Sequence, residues 1–481
     1  MRRAKIVCTL GPATATEEAL AGLLDAGMDV ARVNFSHGTR EAHRQTVSIL
    51  RRLAHERGRP IAILGDLCGP KIRLGKVGGG PRTLAAGETV RLRYGEGPGE
   101  GSLLFHSYEP MANDVKPGEP IFINDGLVRL VVTAVSGDVV ECRVEAGGPI
   151  SDRKGINLPS TRVSAPSLTP KDLNDLELAR ELGLDYLALS FVRTADDIRQ
   201  ARSLAGGIPV LAKIEKPEAI ANLDAILDEA DGAMIARGDL GVEIGQEKVP
   251  LLQKRIIQRM LPRARPVITA TQMLESMIEN ATPTRAEVSD VANAVLDGTD
   301  AVMLSGETSV GRHPATVVRT MVRIIEEVEQ SGWVNRNLTN PVMNDRSFSS
   351  MIAEAVSAAA REYGLTAMAV YTESGRSAAL TAAERPKAAI VAFSRHETVL
   401  RRLNLHWGVT PLHGDWVRGV EGVVAQAERE LVNHGLASAG DTIAVTFGMR
   451  FGAEPFQTNM LKLWRIRDDL SASLVPVQSE P

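Results

Sequence analysis

Eight short apolar runs recur along the chain, and they limit its fold more than any other feature. They are 4–9 AKIVCT, 29–34 DVARVN, 61–66 IAILGD, 185–191 DYLALSF, 210–215 VLAKIE, 232–237 GAMIAR, 266–271 PVITAT and 301–305 AVMLS. Each is nearly continuous in apolar character, as a parallel strand covered on both faces must be. Amphipathic helix patterns fill the segments between them, for example 40–55, 170–182, 250–264 and 314–328. Thr169-Pro170 and Thr316 read as helix starts. Eight strand–helix repeats predict an α/β fold built on a (β/α)8 TIM barrel.

One gap is far too long for a single helix. Residues 75–165 are rich in glycine and turn signals (GKVGGG, GEGPGEG, KPGEP, SGD, GGP), separated by alternating stretches such as TVRLRY and LVRLVVTAV. This predicts a small all-β domain inserted into the barrel. After about residue 341 the pattern changes again. A helix at 349–362 and strands at 365–371, near 388–393, 408–412 and 441–447 predict a separate, layered α/β domain. The expected division is therefore 1–72 and 166–341 for the barrel, 73–165 for the insertion and 342–481 for the C-terminal domain. The stretch SASLVPVQSE near the end reads as frayed.

In such a barrel the chemistry gathers at the carboxyl ends of the strands, where the loops converge. The second run ends in Arg32-Val33-Asn34-Phe35-Ser36-His37, the third in Asp66, the fifth in Lys213-Ile214-Glu215. The sixth ends in Arg237-Gly238-Asp239, the seventh in Thr269-Ala270-Thr271, the eighth in Ser305-Gly306-Glu307. Cations and carboxylates from different strands are thus expected to point at one volume. Lys213 and Glu215, two apart on a strand, share a face. Glu215 and Asp239 are expected on adjacent strands at one level, where two carboxylates repel unless a cation separates them. Hard oxygen ligands favour Mg²⁺ or Mn²⁺. With Arg32 and Lys213 alongside, the set makes a clamp for a phosphoryl group. Gly238 and Gly241 let backbone approach a ligand, and a short helix at 239–244 would present its N-terminus to a carboxylate or phosphate.

Blander structural roles compete for each residue. Lys213–Glu215 and Arg32–Asp66 could be plain ion pairs, His37 beside His43 a solvated histidine at a helix start, and Thr271 a packing residue or cap. The convergence of polar strand ends on one barrel face favours a functional site. Other motifs fail on context. Arg237-Gly238-Asp239 as an adhesion tag needs secretion and an exposed loop tip. GETSVGRH (306–313) lacks the Lys-Ser/Thr of a phosphate-binding loop, and GEGPGEG lacks the strand–helix frame of a dinucleotide fold.

Net charge is −4, so nothing argues for nucleic-acid or membrane binding. No apolar run approaches the ~18 residues of a spanning helix, and no adequate apolar stretch marks a signal peptide. The three cysteines, without a Cys-x-x-Cys, fit a reducing compartment and no structural zinc. A cytoplasmic location is expected.

The motifs CTLGPAT, MDVARVNFSHGT, GPKIR, KGINLP, LAKIEKPEAI, ARGDLGVEI, ITATQMLESMI, PTRAEVSDVANAVLDGTDAVMLSGET and SGRSA resemble the pyruvate kinase family, in order and across essentially the whole chain. The resemblance implies a catalytic barrel, a β-barrel lid and a C-terminal α/β effector domain of three layers. It implies phosphoryl transfer from phosphoenolpyruvate to ADP, giving pyruvate and ATP. By the same resemblance Arg32 and Lys213 hold the transferring group, and Glu215 and Asp239 bind Mg²⁺ or Mn²⁺. Backbone N–H groups of Gly238 and Asp239 hold the substrate carboxylate, helped by Thr271. A threonine hydroxyl is too weak an acid to protonate the enolate unaided, so Thr271 is expected to orient a water chain. Arg73 and Lys154 match nucleotide-phosphate contacts, with Asn34, Ser36 and His37 on the same rim. A homotetramer is implied too.

One departure is informative. Potassium-dependent members carry Asp-Thr-Lys-Gly-Pro-Glu at the third strand; here the stretch is Asp66-Leu67-Cys68-Gly69-Pro70-Lys71. Lys71 brings a fixed cation where a Glu recruits a monovalent ion, so K⁺ is expected to be dispensable. Asn34, Ser36 and Asp66, which match the ion's other ligands, leave room for weak K⁺ binding. In the C-terminal domain, YTESGRSA (371–378) should turn from strand into helix. Thr372, Ser374, Gly375, Arg376 and Ser377 there form a candidate phosphate nest for a phosphorylated effector, with an ordinary helix cap as the plainer reading. Two other functions compete: a metal-dependent lyase or aldolase acting on pyruvate-type enolates, and a non-catalytic metabolite sensor. The first does not need Arg73, Lys154 or a lid; the second does not need the Lys213, Glu215, Asp239 and Thr271 set.

Overall fold

The computed structural model describes residues 2–334, 343–415, 417, 419–449 and 457–468. The eight apolar runs become eight strands: β1 Lys5–Thr9, β2 Val30–Asn34, β3 Ala62–Asp66, β4 Tyr186–Leu189, β5 Val210–Ile214, β6 Gly232–Ala236, β7 Val267–Ala270 and β8 Ala301–Leu304. They close into a parallel barrel in sequence order, with β8 returning to β1. Its strands are buried because helices cover the outside, and side chains such as Val7, Leu64, Leu211, Met234, Ile268 and Met303 fill the inside. Leu405, from the C-terminal part of the chain, joins that inner cluster.

Helix starts follow cap chemistry. Thr39 accepts from Ala42 N–H, and Thr169 forms a reciprocal capping box with Asp172. The helix expected from Thr316 begins instead at Pro314, two residues earlier. Proline at a first helical position loses no hydrogen bond, and it sets the start there.

Between β3 and β4 lies the inserted β structure. A six-stranded sheet runs, across its width, Ile156–Asn157, Pro120–Ile123, Val128–Ser136, Val139–Ala146, Thr89–Tyr94 and Leu103–His106. Two short ribbons complete it, Arg82–Leu84 with Gly148–Ile150 and Lys76–Val77 with Pro98–Gly99. Strict alternation, as in Thr89–Tyr94, sends Val90 and Leu92 inward. This part has its own core, from Ile72 to Val163. It returns to the barrel where Arg73 bridges Gly155.

The C-terminal sheet contains β9 Ala367–Tyr371, β10 Ala389–Ser394, β11 Val409–His413, β12 Thr442–Phe447 and β13 Met460–Arg465. The order is β11-β10-β9-β12-β13, with β13 antiparallel at the edge. Separate apolar clusters line its two faces, giving three layers. The boundary expected at 341/342 and the frayed stretch 471–480 lie outside the described residues. Among the described residues, no helix is long and apolar enough to cross a membrane.

Candidate active site

Strand register brings the first charges together. Asn34 at the end of β2 stands opposite Asp66 at the end of β3. Arg32 donates to Asp66 through Nε (2.7 Å), approaches the same oxygen with Nη2 (2.6 Å), and donates to Thr9 Oγ1 through Nη1 (2.9 Å). From β5, Lys213 Nζ donates to Ser190 Oγ at 2.6 Å and lies 3.3 Å from Asp66 Oδ1 and 3.5 Å from Glu215 Oε2. Glu215 Oε1 accepts from Phe191 N–H at 2.7 Å. The ion pairs read as alternatives to a site are therefore present, and they are part of it.

These groups open into a cavity of about 110 Å³. Arg32, Asn34, Ser36, His37, Asp66, Lys71, Arg73, Lys213, Glu215 and Asp239 all line it. Lys154, Gly238 and Thr271 do not. Lys154 is tied to the rim through its carbonyl, which accepts from Leu74 N–H. Thr271 Oγ1 accepts the Gly238 N–H at 2.8 Å and donates to its neighbour's carbonyl, Ala270 O, at 2.6 Å. A substrate carboxylate would therefore have to displace the Thr271 hydroxyl from that N–H. Neither carboxylate sits on a strand, although their places along the apolar runs suggest it: Glu215 lies one residue past β5, and Asp239 is not on β6. It lies in the first turn of a helix, Arg237–Ile244, and still faces the same cavity.

Two expected contributors point elsewhere. Arg237 is 7% exposed. Its guanidinium donates to the carbonyls of Ala270, Thr271 and Gln272 and to Asp290. It thereby holds a loop in which Thr271 (φ 68°) and Gln272 (φ 55°) adopt left-handed backbone. A buried arginine cannot serve as an adhesion tag. Glu307 is also buried, its carboxylate accepting from Leu274 and Ser305 N–H groups. Sequence position alone does not tell a strand-end side chain that turns inward from one that braces a neighbouring loop.

The electrostatics follow from burial and pairing. Burial alone would depress the Lys213 ammonium; Asp66 and Glu215 outweigh it and hold its pKa above the usual lysine value. Burial would raise Asp66, but Lys213 and Arg32 keep it below the usual carboxylate range. Glu215 is raised, by burial first and then by Asp239, with Lys213 opposing. At the rim, burial and then Arg73, Lys71 and Arg32 lower His37. Asp66, Glu215 and Asp239 thus crowd two cations. Among the described residues, the Asp239 carboxylate accepts no hydrogen bond, and buried Asp66 Oδ1 has only the Lys213 ammonium beside it, at 3.3 Å. Such a donor set fits a hard divalent cation between Glu215 and Asp239. Lys71 is exposed and, among the described residues, pairs with no carboxylate.

Reading strand ends missed several cavity residues. Ser190 follows β4, and the positional rule would have found it had that strand been included. Cys68, Asn157, Phe191, Lys216 and Glu243 also line the cavity. Cys68, Phe191 and Lys216 lie two residues past the ends of β3, β4 and β5, within reach of the same rule; Asn157 and Glu243 come from the insertion and a helix, where strand position carries no signal.

The C-terminal turn is where it was expected, between β9 and a helix Arg376–Ala383. Thr372, Ser374, Arg376 and Ser377 line a second cavity of about 810 Å³. Gly375 caps the helix at φ 86°, a conformation open to glycine. Its N–H is donated to Thr372 Oγ1 at 3.0 Å, and Arg376 pairs with Asp345 at 2.8 Å. Ser377 Oγ lies 2.5 Å from Thr458 Oγ1. A phosphate there would have to replace these contacts.

Comparison with known proteins matches this architecture. The model of the pyruvate kinase barrel domain matches residues 1–318, and that of the pyruvate kinase alpha/beta domain matches 350–464. A pyruvate kinase of Mycobacterium tuberculosis is 44% identical over 476 residues, 97% of this chain and 99% of that protein. One from Corynebacterium glutamicum is 43% identical, covering 97% of this chain and 98% of its own length. One from Geobacillus stearothermophilus is 41% identical over 98% of this chain and 81% of its own. With a cavity of paired carboxylates and cations at the carboxyl mouth of a closed barrel, and these matches along its length, the chain belongs to the pyruvate kinase family.

Proposed function

We propose that this phosphotransferase moves the phosphoryl group of phosphoenolpyruvate to ADP inside the barrel-mouth cavity, giving pyruvate and ATP. The observation that carries the reading is the convergence of Arg32, Lys213, Glu215 and Asp239 on one cavity. Glu215 and Asp239 would hold the divalent ion, Mg²⁺ or Mn²⁺. When bound, that ion supplies positive charge to the phosphoryl and enolate oxygens. Arg32 and Lys213 hold the phosphoryl oxygens as charge spreads over them. Lys213 stays protonated throughout, because Asp66 and Glu215 keep its pKa high; it stabilises charge and does not act as a base. Gly238 and Asp239 N–H groups take the substrate carboxylate once Thr271 releases the first of them. Thr271, a weak acid, orients water that protonates the enolate carbon. Arg73 and Lys154, with Asn34 and His37, take the nucleotide at the edge of the inserted β domain. Closure of that domain keeps water from the phosphoryl group.

The finer assignments follow the same logic. Domain boundaries fall at 72/73, 165/166 and 341/342. Lys71 supplies positive charge at the cavity edge, so the enzyme works without K⁺. Asn34, Ser36 and Asp66 bind K⁺ weakly at most. Lys71→Glu should create a K⁺ requirement, read as activity against KCl at fixed Mg²⁺; an unchanged ion profile contradicts this. The turn at Thr372, Ser374, Gly375, Arg376 and Ser377 takes a phosphorylated effector, and the enzyme is a cytoplasmic homotetramer. The test of the whole reading is ATP formation from phosphoenolpyruvate and ADP with Mg²⁺. A lyase, an aldolase or a non-catalytic sensor forms no ATP.

A further inference from the structure

The two carboxylates assigned to the divalent ion come from different elements, and something must fix their spacing. Lys216 directly follows Glu215. Glu243 lies four residues after Asp239 on the helix Arg237–Ile244, one turn along the same face. Lys216 Nζ donates to Glu243 Oε1 at 2.6 Å, and both side chains are buried. The same oxygen accepts from Asn157 Nδ2 at 2.9 Å. Asn157 belongs to the inserted β domain, on the strand Ile156–Asn157. Two residues before it, Gly155 bridges Arg73, and Lys154 comes just before that. Glu243 Oε2 is buried and has no partner among the described residues. Nothing in the phosphoryl-transfer reading uses these three groups.

We propose that Glu243 is a positioning residue with two ties. Its ion pair with Lys216 binds together the elements that carry Glu215 and Asp239, and so sets the spacing of the divalent-cation site. Its contact with Asn157 holds the nucleotide-facing edge of the inserted domain over the cavity. This rests on the cation site and nucleotide rim of the proposed function. One oxygen serves both ties, so the domain closes onto a helix whose first turn carries a metal ligand.

The ties can be cut separately. Asn157→Ala removes only the lid contact, a hydrogen bond to a charged group. It should raise KM for ADP about ten-fold, leaving KM for phosphoenolpyruvate and Mn²⁺ affinity within about two-fold. Lys216→Met combined with Glu243→Gln removes the ion pair at constant net charge. The introduced amide can still accept from Asn157 through its carbonyl oxygen. That double variant should weaken Mn²⁺ binding to the enzyme alone about five-fold, read as free Mn²⁺ by electron paramagnetic resonance. Its KM for ADP should rise much less than in Asn157→Ala. Lys216→Met alone separates tether from field. A purely electrostatic role predicts tighter Mn²⁺ binding when a positive charge is lost, whereas a tether predicts weaker binding. Unchanged KM for ADP in folded Asn157→Ala, or unchanged or tighter Mn²⁺ binding in the single and double variants, overturns the proposal. If the wild type formed no ATP, the reading of the site would fail; an active wild type with unaffected variants removes the latch alone.

Discussion

At the residue scale, the site shows how pairing decides what a buried charge can do. Asp66 is buried and Lys213 half-buried, yet each keeps its charge because the other is beside it. His106 is the counter-example. It is 1% exposed within the inserted domain, and its Nε2 has no partner among the described residues. Burial lowers its pKa from 6.5 to about 4. Between those values the unfolded chain takes up a proton that the folded chain refuses, so stability falls as pH drops from 6.5 toward 4. His106→Leu should therefore lessen the loss of stability between about pH 7 and about pH 5 by about 2 kcal/mol, measured by urea unfolding at both values. Arg32, Lys213, Glu215 and Asp239 were legible in the sequence because barrel topology gives strand ends a common destination. Arg237 and Glu307 were misread because the same position also suits a side chain that braces the next loop.

At the scale of elements, the barrel strands were legible because double-sided burial demands uninterrupted apolar residues. The edge strand β13 was not, since MLKLWR is half exposed and its period is mixed. The C-terminal helices Glu397–Leu403 and Gly419–Asn433 were missed for a related reason. They are short or carry weak cap signals. The loop after β7 depends on one side chain. Arg237 spreads its donors over Ala270, Thr271, Gln272 and Asp290, and a lysine cannot reproduce that fork. Arg237→Lys should destabilise the protein by about 2 kcal/mol, read by denaturant unfolding. It should also lower kcat about ten-fold, because Thr271 loses its support. An unchanged kcat with lowered stability would confine Arg237 to structure.

For the whole molecule, the far end of the barrel is where the C-terminal domain joins. Asp185, just before β4, is fully buried. It accepts from Arg51, from Arg401 on the helix Glu397–Leu403 and from Ile63 N–H. Arg385 pairs with Asp300 just before β8, and Tyr186 donates to Arg402 O. Removing one charge from such a buried set leaves the others uncompensated. Asp185→Asn should cost about 3 kcal/mol or more, read as a lower denaturation midpoint, while the cavity at the opposite mouth keeps its residues. These joints were invisible in the sequence, since each partner is an ordinary surface-type charge until folding buries it. The carboxylate pair at the carboxyl mouth is central to the proposed chemistry. Its most direct test is ATP formation from phosphoenolpyruvate and ADP with Mg²⁺, comparing the wild type with Asp239→Asn. The expected result is an active wild type and a folded variant slower by about 10³; a folded variant within a few-fold of the wild type would contradict it.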